Sequence, residues 1–94
     1  MRKIEENMLN AIWNRLNVNL SNTSVHYNEH TQTSLVRLHG NLIATYKHDG
    51  LYKYKANAAM FKEWATTTTR SRLRAMGIDA SIKGGQAVID GVVL

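Results

Sequence analysis

The chain has 94 residues, which suffices for one domain spanning 1–94 and leaves no room for a second hydrophobic core. Its formal net charge at pH 7 is +5, and it contains no cysteine, which excludes disulfides and thiolate metal sites. No apolar run approaches the roughly 18 residues of a membrane-spanning helix, so we expect no membrane partner. We also expect no signal peptide in the polar segment Met1–Asn7 and a cytoplasmic location.

Near the start of the chain, apolar residues recur at helical spacing with charged and amide side chains between them. This pattern predicts an amphipathic helix over Arg2–Leu16. Asn17 suits its end, because asparagine tolerates the left-handed conformation found at many helix termini. The apolar positions are Ile4, Met8, Leu9, Ile12, Trp13 and Leu16.

The next part of the chain predicts an antiparallel meander of three or four strands, because apolar and polar residues alternate in short segments separated by turn residues. Gly40-Asn41 is a two-residue hairpin signal, and Asp49-Gly50 marks a second turn. The predicted strands are Thr23–Asn28, Ser34–His39, Leu42–Lys47 and Leu51–Lys55.

In the last of these strands, alternation places Tyr52 and Tyr54 on one face and Lys53 and Lys55 on the other. Tyrosine suits a half-buried face, because its ring is apolar and its hydroxyl is polar. The two lysines have two interpretations. Either they protect an edge strand against pairing with another chain, or they contact a partner.

The segment Asn57–Glu63 is ambiguous between a helical turn and a loop. The threonine run that follows can supply an N-cap, since a threonine hydroxyl accepts a hydrogen bond from a backbone N–H two or three residues later. A helix is therefore predicted over Thr67–Met76, with Gly77 as its terminator.

The last part of the chain predicts a β-hairpin, with strands over Ile78–Lys83 and Gln86–Leu94 around the turn Gly84-Gly85. The complete order is an N-terminal helix, the meander, a second short helix and the C-terminal hairpin. This order predicts an α+β fold with helices packed on antiparallel sheet.

The middle of the chain is basic, because residues 35–76 contain eight basic and two acidic side chains, a net charge of +6. This asymmetry indicates an anionic partner, either nucleic acid or an acidic protein surface, unless the charge only aids solubility. At 100° per residue, Arg70 and Arg74 share an exposed face of the second helix, away from a buried face with Leu73. Arg72 lies at the flank, where we expect its head group to find a carboxylate or a carbonyl.

Aromatic residues interleave with these cations, which is typical of proteins that bind single-stranded nucleic acid. The alternative is that the tyrosines pack in the core and that Phe61 and Trp64 anchor it. The candidate binding residues are Arg70, Arg74, Lys53, Lys55, Lys62 and Arg37.

Catalytic and metal-binding patterns are missing from the sequence. The histidines His26, His30, His39 and His48 do not have the spacing of a zinc site, and there is no phosphate loop or nucleophile elbow. We therefore expect no enzyme activity, no metal and no cofactor.

Two segments of the chain, Leu38–Ala44 and Trp64–Leu73, carry a resemblance to a group of small bacteriophage proteins. Those proteins have a Leu-His-Gly-Asn-x-Ile-Ala hairpin followed by a Trp-x-Thr-x-Thr-Thr-(Lys/Arg)-x-Arg-Leu helix start. The resemblance covers about residues 23–77, and this chain departs from the pattern at Arg74, where asparagine is usual. It implies a phage protein in the cytoplasm of an infected bacterium, a structural role for His39 and the threonines, and no particular activity.

We therefore predict a small phage accessory protein that acts by binding, with nucleic acid as the partner of the basic helix and the Lys/Tyr strand. The alternative is a host-directed inhibitor or adaptor that docks on an acidic host protein. The apolar end Val92–Leu94 also predicts a homo-oligomer. An exposed patch with Trp13 or Val92–Leu94 would favour a protein partner.

Overall fold

The first helix, α1, spans Lys3–Trp13 in the computed structural model, which describes residues 2–50 and 53–94. It ends earlier than predicted, because Arg15 adopts the left-handed conformation (φ 55°) that was expected at Asn17. The N–H of Leu16 donates to the carbonyl of Ala11 at 2.9 Å, and that of Arg15 donates to Ile12 at 3.3 Å. These two bonds form a Schellman motif that satisfies the last carbonyls of the helix.

A five-stranded antiparallel sheet follows, with its strands in chain order across the sheet. The meander is confirmed, and it gains a short first strand that the Asn- and Ser-rich sequence did not indicate. The last predicted strand begins with Leu51 and Tyr52, which lie outside the described residues. The strands are β1 (Val18–Leu20), β2 (Thr23–Asn28), β3 (Thr33–Leu38), β4 (Asn41–Lys47) and β5 (Tyr54–Ala56).

The β3–β4 hairpin turns at His39-Gly40, one residue earlier than the predicted Gly40-Asn41. Leu38 pairs with Asn41, so the two residues between them form the turn. Both have positive φ, 52° at His39 and 81° at Gly40. Two positive φ angles are what a type I′ hairpin needs, because its twist matches that of the flanking strands.

Two short helices connect this sheet to the rest of the chain. The ambiguous segment forms helix α2 (Ala58–Glu63), where the side chain of Asn57 accepts a hydrogen bond from the Met60 N–H at 3.2 Å. Helix α3 (Thr67–Ala75) starts as predicted in the threonine run, where the Thr66 hydroxyl accepts from the Thr69 N–H at 3.2 Å.

The C-terminal part forms a second, three-stranded sheet of β6 (Ala80–Lys83), β7 (Gln86–Ile89) and β8 (Val92–Val93). Gly84-Gly85 is the predicted turn. The predicted strand Gln86–Leu94 is divided in two, because Asp90 and Gly91 have φ of 53° and 79° and form a second hairpin turn. The fold is α+β, as the order of elements predicted.

The core lies between α1, α3 and one face of the large sheet. Phe61 is buried as predicted, but Trp64 is 55% exposed, and its prediction as a core anchor is wrong. Helix α2 ends at Glu63, and Trp64 leaves the helical path (φ −123°, ψ 68°), so a spacing of three residues no longer places it on the Phe61 face. Fully buried side chains include Met8, Ile12, Val25, Val36, Phe61 and Leu73. No helix in the described ranges is long and apolar enough to cross a membrane.

Candidate functional site

The two faces of the five-stranded sheet differ in what covers them. Val25, Val36 and Ala44 pair across β2, β3 and β4 and are buried against the helices. Residues at alternate strand positions point to the opposite face. Most of them are exposed or half-buried, so this outer face is open. One row of it contains His26, Leu35, Thr45 and Lys55, and the next contains Ser24, Arg37 and Leu42.

The outer face is basic. Lys55 is exposed and Arg37 is half-buried, and the sequence of β1–β5 contains no aspartate or glutamate. Lys53 precedes β5 and alternates with Lys55, and its carbonyl accepts a long hydrogen bond of 3.5 Å from the Lys47 N–H. The nearest acids in sequence, Glu29 and Asp49, lie in the turns at one end of the sheet, and Asp90 of the second sheet lines a concavity together with Lys53 and Lys55.

Lys47, at the end of β4, lies opposite Lys53, which directly precedes β5, and both side chains are exposed. Like charges that face each other across a strand pair are destabilising. The two lysines therefore give this edge of the outer face a local excess of positive charge.

The other predicted cations lie in the helical layer. Arg74 is exposed and Arg70 is half-buried, both on α3, whose Leu73 belongs to the core that covers the inner face. Lys62 is exposed on α2. The structure thus divides the candidate residues into two groups of three. Arg37, Lys53 and Lys55 share the outer face, whereas Lys62, Arg70 and Arg74 do not lie on it.

Arg72 confirms the prediction that its head group finds a carboxylate. It is buried, and its Nη1 lies 2.8 Å from the Glu5 carboxylate while its Nε donates to the Thr23 hydroxyl at 3.0 Å. Burial by itself raises the pKa of Glu5. Hydrogen bonds from Ser71 and Arg72 and the charge of Arg72 outweigh burial, so the pKa of Glu5 lies below its ordinary value. Arg72 therefore holds α3 to α1 and is not a free cation.

Tyr46 and Tyr54 belong to the inner face and not to a stacking surface, and Tyr52 lies outside the described residues. Tyr46 is buried, and its ring lies 4.4 Å from that of Tyr54 and 4.7 Å from that of His48. The Trp13 indole N–H donates to the Tyr54 hydroxyl at 3.0 Å. Burial raises the pKa of Tyr54, with the Trp13 hydrogen bond acting in the opposite direction. The interpretation of these tyrosines as core residues is the one that the geometry favours.

His48 is buried beside this cluster, directly after the end of β4. Its Nε2 is 2.9 Å from the Ser34 hydroxyl, and its ring also meets that of Tyr27 edge-on. Burial lowers the pKa of His48, and the positive charge of Arg15 lowers it further. His48 is therefore a packed neutral side chain.

A concave site, which we call the Trp64 groove, was not predicted. It has a volume of about 240 Å³ and forms where the β3–β4 hairpin meets α2 and the start of α3. The two segments that carry the phage resemblance both contribute to it. Because Trp64 was assigned to the core, the sequence left this groove unrecognised. Its lining residues are Leu38, His39, Asn41, Ile43, Met60, Trp64, Thr66 and Thr69.

A metal site is not formed by the part of the chain that the structure describes, since no three His, Asp or Glu side chains converge there.

Comparison with protein-family models finds a match to the Kyanoviridae Gp96 protein family over residues 1–91. Comparison with curated proteins and with solved structures finds no match. The family match extends beyond the resemblance noted in the sequence, because it includes α1 and most of the second sheet.

Proposed function

Because the chain belongs to the Kyanoviridae Gp96 protein family, and so is a small phage protein, we propose that it binds nucleic acid through the outer face of its five-stranded sheet. The observation that carries this proposal is the open sheet face with Arg37, Lys53 and Lys55 and no carboxylate on its strands. A cationic face of this kind supports binding to the phosphate backbone.

The spacing of the cations supports the same conclusion. Arg37 on β3 and Lys55 on β5 lie two strand spacings apart across the sheet, about 10 Å, and in adjacent rows along the strands, about 7 Å apart in that direction. Leu35, Leu42 and Thr45 lie between and beside them and are half-buried, so the face presents apolar area as well as charge. Such a surface suits a flexible single strand, whose phosphates reach the cations while its bases cover the apolar part.

Arg70 and Arg74 offer a matched control for this proposal, because they form a similar cationic pair in a different layer of the fold. The variants Lys53→Glu/Lys55→Glu and Arg70→Glu/Arg74→Glu change the net charge equally. We expect the lysine variant to weaken binding to a fluorescent single-stranded oligonucleotide at least about tenfold. The negative slope of log K against log[salt], with K the association constant, should become shallower by about 1.4, since each of the two lost phosphate contacts on a single strand contributes about 0.7.

The arginine variant should change both quantities much less. Equal losses in the two variants would show that only net charge matters, and a larger loss in the arginine variant would place binding on α3. Absence of binding by the natural chain at 50 mM salt, a condition where phosphate contacts are strong, would contradict the proposal.

A second candidate function is a host-directed inhibitor or adaptor that binds a host protein. It is favoured by exposed apolar side chains, since Trp13, Val92 and Val93 are 67%, 63% and 55% exposed. Surfaces of this kind are typical of protein contacts, including self-association. Pull-down of a tagged copy from host lysate, with and without nuclease, separates the two functions. A host protein that stays bound after nuclease treatment would favour the second, and its dependence on Trp13 would locate the contact.

A further inference from the structure

We infer that the Trp64 groove receives one unstacked base of the bound strand, which would make single-stranded nucleic acid the preferred ligand. This inference rests on the proposed nucleic-acid binding. The outer face of the sheet would bind the phosphates of the strand, and the Trp64 groove would bind one of its bases.

The lining of the groove suits a planar ring with a polar edge. Leu38, Ile43 and Met60 supply an apolar floor, and the exposed Trp64 supplies an aromatic surface. Aromatic side chains stack on bases in single-strand binders. The volume of about 240 Å³ is below the range of about 300–1,000 Å³ that accommodates drug-sized ligands, so it suits a single ring system and not a helix.

Polar groups at the rim are available for the edge of a base. Asn41 and His39 are exposed, and neither side chain makes a hydrogen bond to another residue within 2–50 and 53–94. The Asn41 amide can donate and accept at once, which matches the mixed edges of nucleobases. The Thr66 and Thr69 hydroxyls instead bond to each other at 2.9 Å and fix the other wall.

Charge complementarity favours a polyanion as the occupant. Arg37 and Lys62 lie in sequence within two residues of the lining residues Leu38 and Trp64. Glu63 is the acid closest to Trp64 in sequence and opposes them in part. Arg37 belongs to the outer face and directly precedes a residue of the groove. A strand bound on that face would have to pass over the end of the hairpin to place a base in the groove.

The test uses the two tryptophans of the chain. Trp13→Phe leaves Trp64 as the single tryptophan, and this protein is titrated with an oligonucleotide of about ten nucleotides, within the usual site size, and with the matching duplex. We expect the single strand to quench Trp64 fluorescence. In the natural background, Trp64→Leu should lower single-strand affinity by about 5- to 150-fold, the range for loss of one stacked base, with duplex affinity unchanged.

The matched control is Trp13→Leu, which removes a tryptophan outside the groove that is 67% exposed, against 55% for Trp64, and should leave both affinities unchanged. If Trp64→Leu binds the single strand like the natural chain, the groove inference is overturned while binding to the outer face stands. If the natural chain binds neither nucleic acid, the proposed function and the inference both fail. A Trp64 signal that changes with protein concentration alone would identify a second copy as the occupant and overturn the inference.

Discussion

The Arg72–Glu5 ion pair provides the sharpest test of how the helices are held together. Arg72 is 3% exposed and makes contacts to Glu5, Thr23 and Asn22 at 2.8, 3.0 and 3.4 Å. The substitution Arg72→Met keeps an apolar stem of similar length and removes the charge. It leaves the buried Glu5 carboxylate with a hydrogen bond from Ser71 and without its cation.

The expected loss is large for a chain of this size. Breaking a buried ion pair by removing one partner costs about 3–5 kcal/mol, because the remaining charge is uncompensated. The total stability of a domain of 94 residues is about 5–14 kcal/mol. Arg72→Met should therefore remove about a fifth or more of the free energy of unfolding.

Urea denaturation followed by circular dichroism measures this loss. With an m-value of about 1–3 kcal/mol/M, the midpoint should fall by at least about 1 M. Arg74→Met is the matched control, because it removes an exposed arginine two residues away and should change stability by less than about 0.5 kcal/mol. Glu5→Leu combined with Arg72→Met should recover most of the loss, since it removes both charges.

Two results would refute this reasoning. One is a loss in Arg72→Met no larger than that in Arg74→Met. The other is a double variant that is no more stable than Arg72→Met, which would show that the unpaired Glu5 is not the cause. The pKa of Glu5 is lowered in the folded protein, so its contribution is complete above about pH 4.5 and is lost as the pH falls through the folded pKa. The deficit of Arg72→Met should therefore shrink in acid.

Three further predictions concern stability. The pKa of His48 is lowered in the folded protein, so the unfolded chain binds the proton first as the pH falls. The free energy of unfolding should therefore decrease below about pH 6.5, by at most about 1.4 kcal/mol per pH unit. Urea denaturation of His48→Gln between pH 5 and 8 should lack this pH dependence. His39→Asn should raise the free energy of unfolding by up to about 1 kcal/mol, because asparagine tolerates the left-handed turn position, and the thermal midpoint should rise with it. An unchanged midpoint would contradict a strained turn. Thr66→Ala should cost about 1 kcal/mol in urea through loss of the α3 cap, whereas Thr67→Ala should cost less.

The sequence indicated which cations are candidates for the site, but it did not indicate which of them lie together on one surface. The sequence indicated a basic middle and named the cations, and the structure places Arg37, Lys53 and Lys55 on one open face. It separates them from Arg70 and Arg74, which lie on α3. Sequence spacing could not show this, because the side of the sheet that stays uncovered depends on where α1 and α3 pack. The prediction that Trp64 anchors the core was wrong for a related reason, because α2 ends at Glu63 and the chain changes direction at Trp64.

The sequence by itself determined the elements whose signals are local. Helical periodicity predicted α1, the threonine run predicted the cap of α3, and Gly84-Gly85 predicted the last hairpin, because capping and turn formation involve residues within four positions of each other. The tertiary structure decided which cations face solvent together, where Arg72 finds Glu5, and that two distant segments enclose the Trp64 groove. These outcomes depend on contacts between residues far apart in the chain, 67 positions for Glu5 and Arg72. No local pattern contains that information.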